Sequence, residues 1–201
     1  MLWYCYQEIP ARSTRGRRHG GILCVLVFFS TLLSLTLTTT VFAADAAPPI
    51  LTLATNAFLD VGALPVLYTC DSKNVSPELS WTNPPAKSQT FAMIVSDPNA
   101  PSGVFYHWVL YNLPKTTKEL TEGMNKFPAG TLVGKNSFDK TSYSGPCPPK
   151  GSSHKYIFTL YALDSKLNVP AGAETTKVLE AMKSHILKTS TLTAIYSRWL
   201  K

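Results

Sequence analysis

Residues 145–156, GPCPPKGSSHKY, place Cys147 and His154 near the two ends of a stretch stiffened by three prolines. A thiol and an imidazole can act as nucleophile and base, as two metal ligands, or as a half-cystine beside a ligand-binding histidine. Two other clusters carry related groups. SDPNAPSG, 96–103, ends an apolar run in Asp97 and turns through Pro98 and Pro101, which fix φ. YHWVLYNLP, 106–114, opens with His107 and Trp108. A fourth segment, CDSKNVSPELSW at 70–81, offers Asp71, Ser76 and Trp81 as walls.

Each group also has a plain structural role. Asp97 before Pro98 can simply cap its turn, and a lone strand histidine is usually a hydrogen-bonded packing residue. His185, on a late helical pattern, reads that way. An Asp-Pro turn combined with two strand-edge histidines favours a site. Two imidazoles can donate N–H bonds to an oxyanion, while a carboxylate orients one and favours its charged form. One Asp and two His also match a facial-triad metal set, provided all three converge. A hydrolase needs an activated nucleophile, a base and an oxyanion hole. The chain has no G-x-S-x-G elbow, and Ser152 and Ser153 have no base beyond the adjacent His154.

The elements that must position these groups are mostly strands. Runs at 50–55, 64–70, 91–97, 104–113, 154–163 and 191–199 are rich in β-branched and aromatic residues and are separated by Pro, Asn, Asp or Gly clusters. The 91–97 run is almost wholly apolar, as a central strand covered on both faces requires. Val178, Leu179, Met182 and Ile186 follow a 3.6-residue period and predict one helix over about 174–188, capped by Thr175 or Thr176. One helix among many strands implies a mainly antiparallel sheet or sandwich with peripheral helices. The polar 114–150 segment is long enough to suggest a functional loop.

The first residues read as a leader. Arg12, Arg15, Arg17 and Arg18 precede an apolar run ending Val41-Phe42-Ala43, the order of a secretory signal, which predicts a signal peptide over 1–43 and a linker over 44–49. The rival reading is an uncleaved N-terminal membrane anchor. Cleavage leaves 158 residues, one domain over 50–201, periplasmic or secreted, with no stable membrane span. It lowers the net charge from +7 to +4, because four arginines and Glu8 depart together. The remaining lysines are scattered, which argues against nucleic-acid binding. Two cysteines stay, Cys70 and Cys147; export permits a single bridge, with two free thiols or a reactive thiol as alternatives.

DPNAP, HWV and GPCPPKGSSHKY, in that order, resemble the signature of the phosphatidylethanolamine-binding proteins, also called Raf kinase inhibitor-like proteins. YTCDSKNVSPELSW and MKSHIL are similar to the bacterial branch, and the likeness spans roughly residues 50–200. It implies a large antiparallel sheet packed on a smaller one, with a few peripheral helices. It also implies a small anion pocket, without cofactor or metal, formed by Asp97, His107, Gly145, Pro146, His154 and Tyr156, with Trp81 and Trp108 as pocket walls. The implied ligand is a phosphate, phosphoethanolamine or carboxylate group. Relatives inhibit kinases or serine proteases, so a protease or kinase partner is a further implication. One departure stands out: Asn99 occupies the position of the family's usual second acid, which should make the pocket less acidic. The combined reading is an exported, non-catalytic binding protein, with a hydrolase or metal enzyme using Asp97, His107 and His154 as the alternative. In it Cys147 bridges to Cys70 and pins the loop, and His154 faces the pocket.

Overall fold

The computed structural model describes residues 50–199. The expected leader, its cleavage site and the linker lie outside these residues. The elements run β1 (Thr52–Ala54), β2 (Gly62–Ala63), β3 (Leu79–Thr82), β4 (Thr90–Asp97), β5 (Phe105–Pro114), β6 (Glu119–Leu120), β7 (Leu132–Val133), β8 (Ser153–Leu163), α1 (Thr175–Met182) and β9 (Ile186–Ser197). They form a six-stranded sheet in the order β2-β9-β8-β4-β5-β7 and a three-stranded sheet in the order β1-β3-β6. Every pairing is antiparallel except the short β2–β9 contact. The two layers are too unequal to be called a sandwich of matched sheets.

The apolar run of β4 explains the layering. Phe91, Met93 and Val95 face the small sheet and share a core with Leu53, Leu79, Trp81 and Leu120. Ala92 and Ile94 face the other way and pack with Val178 and Met182 of α1. A strand buried on both faces needs an apolar residue at every position, and β4 supplies one at five in succession. β5 serves both cores as well, but Asn112 adopts φ 57° and shifts the register there. Leu110 and Leu113 consequently face the same core despite their odd spacing.

Three sequence expectations are corrected. The 64–70 run is not a strand but a single 3-10 turn over Val66–Tyr68. Pro65 lies outside it at φ −58°, and its carbonyl accepts from Tyr68 N–H, so local turn bonds replace a ladder. The helix ends at Met182 rather than near 188, because Ile186 already pairs with Leu163 as the first residue of β9. Its cap is Glu174; Thr175 Oγ1 instead donates to the Lys135 carbonyl at 2.7 Å. His185, just past the helix, has Nδ1 2.9 Å from Asp164 Oδ1, an exposed structural bond. Among the described residues no helix is long and apolar enough to cross a membrane.

Candidate functional site

Asp97 is the last residue of β4, where the strand gives way to Pro98. Its two oxygens do different things. Oδ1 accepts from Asn99 N–H at 2.8 Å and closes the turn, while Oδ2 lies 2.7 Å from His154 Nδ1. Asp97 therefore caps its turn and holds His154 at the same time. His154 enters β8, which pairs antiparallel with β4 in a register that sets Ser96 opposite Ile157. One step further along brings Asp97 beside Tyr156 and diagonal to His154, a cross-strand spacing that long side chains can reach. Asp97 and His154 are both buried.

His107 arrives by a bulge. Val95 pairs with Trp108 and Ser96 with Tyr106, leaving His107 as the extra residue of β5. Strict alternation would turn His107 away from the face that Trp108 packs against; a bulge re-aims it. The ring is then fixed by Ser144, whose carbonyl oxygen lies 2.7 Å from Nδ1. A carbonyl only accepts, so Nδ1 carries the proton and the neutral ring keeps Nε2 as a bare acceptor. Burial, chiefly, depresses the His107 pKa below the ordinary histidine value, against the raising effects of the Ser144 carbonyl and Asp97.

These side chains surround one cavity of about 210 Å³. Asp97, His107, His154 and Tyr156 form its polar side, and Phe105, Phe138, Pro148 and Pro149 much of its apolar side. Tyr156 stacks on His154 and meets His107 edge-on, with ring centroids 6.4 and 5.2 Å apart. Its hydroxyl is buried without a hydrogen-bond partner. Burial, followed by the nearby Asp97 charge, pushes its pKa up, so the hydroxyl remains a donor.

The other expected residues fall elsewhere. Gly145 and Pro146 anchor the rim rather than line the cavity: Gly145 N–H donates to Asn74 Oδ1 at 2.6 Å, and Pro146 O accepts from Cys70 N–H at 3.1 Å. Trp81 and Trp108 are core residues and do not line this cavity. Trp81 packs edge-on to Phe91 and Trp108 edge-on to Tyr143, both almost fully buried. Ser76 is buried as well, and Asp71 is held by Arg198 at 2.9 Å. Asn99 does not line the cavity either; its Oδ1 accepts from Lys155 N–H at 2.9 Å and ties the turn to β8. A carboxylate there could accept the same bond, so this clamp does not need the amide.

Cys70 and Cys147 are bridged, with S–S 2.07 Å and Cα–Cα 5.4 Å. Since the Cys147 sulfur is bonded and His154 is held by Asp97, the two do not act as nucleophile and base. Among the described residues no three His, Cys, Asp or Glu side chains group as metal ligands.

Sequence reasoning missed Asn136, which organises the far wall. Its Nδ2 reaches the carbonyls of His107 and Ser142, and its Oδ1 accepts from Phe138 and Lys140 N–H at 2.9 and 3.0 Å. Phe138, thus positioned, packs edge-on against Phe105 at 4.7 Å and against His107 at 5.8 Å. Nothing in the polar GKNSFDK stretch distinguishes this asparagine from a solvated one.

Gly145 leads to a first prediction. A Cβ there would lie 2.2 Å from Tyr68 O and 2.9 Å from Thr69 Cα, both backbone atoms. Gly145→Ala should cost about 1–3 kcal/mol of stability by overpacking, read as a lower urea midpoint. An unchanged midpoint would mean that the rim can move aside freely.

Comparisons with known proteins agree with this architecture. Residues 54–197 match the family model described as phosphatidylethanolamine-binding protein. A UPF0098 protein of Methanothermobacter thermautotrophicus is 44% identical over 149 residues, covering 73% of this chain and 98% of that protein. The Escherichia coli UPF0098 protein YbhB is 39% identical over 133 residues, 63% of this chain and 84% of its own length. Among solved structures, Escherichia coli YbcL, described as a member of the mammalian PEBP family, superposes with a TM-score of 0.71 at 28% identity, covering 76% of this chain and all of that one. A phosphatidylethanolamine-binding protein homologue from Chlamydia trachomatis gives a TM-score of 0.69 at 33% identity, over 74% of this chain and 98% of that one. In sequence and in architecture, the chain belongs to the phosphatidylethanolamine-binding protein family.

Proposed function

We propose that this chain is an exported, non-catalytic binding protein whose cavity takes a small phosphate-like or carboxylate group. The observation that carries the reading is the convergence of Asp97, His107 and His154 on one cavity, with Nδ1 of both rings already tied down. Each imidazole then has its second nitrogen left for a ligand, and the Tyr156 hydroxyl adds a partnerless donor. The arrangement favours a partly protonated oxyanion such as a hydrogen phosphate ester. Its charged oxygens would accept from the tyrosine and any imidazolium, and its P–OH would donate to neutral His107 Nε2. The cavity is several times the ~30 Å³ share of one liquid water, which leaves space for a short substituent against Phe105 and Phe138.

A hydrolytic role has less support. Ser152 Oγ donates to the Pro149 carbonyl at 2.7 Å and Ser153 Oγ pairs with Ser197 Oγ at 2.8 Å, so neither is hydrogen-bonded to a histidine. Export rests on the leader pattern, and the bridge is of the kind that persists in oxidising compartments. A protease or kinase partner rests on the family resemblance alone.

The test is a titration with phosphate and, separately, with acetate, followed by the imidazole resonances of His107 and His154. Acetate keeps its charge from about pH 5.5 to about pH 8, so its pH dependence reports the protein. Affinity should fall as pH rises, because imidazolium donors become neutral acceptors. Since burial lowers the His107 pKa, its share of that loss lies below the ordinary value of about 6.5. The same depression means that acid destabilises the empty fold. The unfolded chain takes up the His107 proton first, so stability declines as pH falls through the interval below about 6.5. Equal acetate affinity at both pH values, or no response from either histidine, would sink the pocket reading.

A further inference from the structure

The bridge that borders the cavity has two unequal sulfurs. Cys147 is exposed and lines the cavity, whereas Cys70 is only half-exposed and does not line it. Arg198 Nη1 lies 3.5 Å from Cys147 Sγ, and its guanidinium is held in place by Asp71 at 2.9 Å. A cation beside an accessible sulfur draws in an attacking thiolate and stabilises the thiolate later released there.

The bridge also has a mechanical role that its neighbours do not share. The rim segment is fixed at one end by Gly145 N–H to Asn74 Oδ1 and by Cys70 N–H to Pro146 O. At the other end, Gly151 N–H donates to Arg198 O at 2.6 Å and Arg198 N–H to Ser152 O at 3.0 Å. Between these anchors Pro148 and Pro149 have no N–H to donate. Pro149 O is occupied within the loop by Ser152, and Pro148 and Pro149 are cavity wall. Apart from the packing of buried Pro148, the covalent tie at Cys147 is what fastens the middle of this wall to the rest of the fold.

We infer that Cys147 is a thiol–disulfide exchange site, and that a dithiol reductant opening its bridge to Cys70 releases the proline wall of the cavity. In the first step a thiolate of the reductant attacks Cys147 Sγ. The Cys147–Cys70 bond breaks, a mixed disulfide forms, and Cys70 leaves as a thiolate that takes a proton from solvent. The second thiol of the reductant, deprotonated, then attacks its own sulfur in the mixed disulfide and releases Cys147, which takes up a second proton. The bridge gains two electrons and two protons, and the dithiol is oxidised to a disulfide. Release of the wall does not depend on the proposed function; its effect on anion affinity does.

The experiment treats the native protein with dithiothreitol without denaturant and follows free thiols by alkylation and mass. The imidazole resonances of His107 and His154 are recorded in the oxidised and reduced forms, and phosphate is titrated into each. The expected result is complete native-state reduction, shifted imidazole resonances, and phosphate affinity about tenfold weaker in the reduced form. The Cys70→Ser/Cys147→Ser variant should match the reduced protein and ignore the reductant; if it fails to fold, the reduced wild type supplies the same comparison. A bridge that opens only in denaturant, or imidazole resonances identical in both forms, overturns the inference. Phosphate binding in neither form, with the imidazole shifts still present, would defeat the pocket reading and leave the exchange site standing.

Discussion

Asp97→Ala is expected to remove phosphate binding at concentrations that saturate the unmodified protein, and to cost about 1–3 kcal/mol of stability for the buried donor it leaves unpaired. Both effects follow from one buried carboxylate holding two donors. Oδ2 accepts from His154 Nδ1–H and Oδ1 from Asn99 N–H, and both His154 and Asp97 are almost shielded from water. Alanine leaves the imidazole N–H buried and unpaired, and the turn N–H without its acceptor. A carboxylate can only accept, so Asp97 also dictates that His154 carries its proton on Nδ1 and keeps Nε2 for the ligand. Without it neither tautomer nor ring orientation is fixed. Asp97→Asn separates the two effects. Its single amide oxygen can retain the turn bond or the imidazole bond but not both, and its NH₂ group can turn the His154 tautomer around. Asn should recover part of the stability and little of the affinity. Urea unfolding and phosphate titration read the two quantities, and Asp97→Ala binding phosphate like the parent would refute the role given to Asp97.

How far the sequence reveals this site depends on whether position along the chain or pairing between strands decides each residue. The β4 run is legible because a strand covered on both faces must be apolar throughout, and FAMIV is. Asp97 and His154 are legible because each stands at a strand end marked by proline-rich turns. His107 was found as a residue, but its direction could not be. Period-two alternation sets His107 and Trp108 on opposite faces, and only the pairing of β5 with β4 reveals the bulge that overrides it. The same blindness put Trp81 and Trp108 at the pocket wall, where the layered core claims them instead. Asn99 is conspicuous as a missing charge, but the backbone bond it accepts from Lys155 is visible only once strand β8 lies alongside. Asn136 ties its own loop through Ser142, Phe138 and Lys140 but reaches the site only through the distant His107 carbonyl, and Phe138 reaches it only through Phe105 and His107; no local pattern encodes those distant contacts. The end of α1 fails for a related reason, since the helical period continues to Ile186 while strand pairing with Leu163 takes that residue for β9.

Cys70→Ser/Cys147→Ser is expected to lose about 4 kcal/mol of stability, because the bridge closes a loop with a sequence separation of 77. This is a large share of the roughly 5–15 kcal/mol that holds a domain of ordinary stability, so the variant should fold but unfold at a much lower denaturant concentration. In the chain-entropy model the loss arises in the unfolded ensemble, which the bridge keeps compact. Two observations follow together. The midpoint should fall, and the denaturant slope should rise, because an unbridged chain exposes more surface on unfolding. Native rim contacts make the competing explanation. The backbone bonds from Cys70 to Pro146 and from Gly145 to Asn74 lie directly beside the bridge, and losing them would weaken the folded state instead. That cause lowers the midpoint without raising the slope. A denaturation curve for the variant beside the bridged and the reduced parent therefore decides where the bridge acts. Equal midpoints for all three would remove its contribution altogether, whereas a steeper slope shared by the variant and the reduced parent would place it in the unfolded chain.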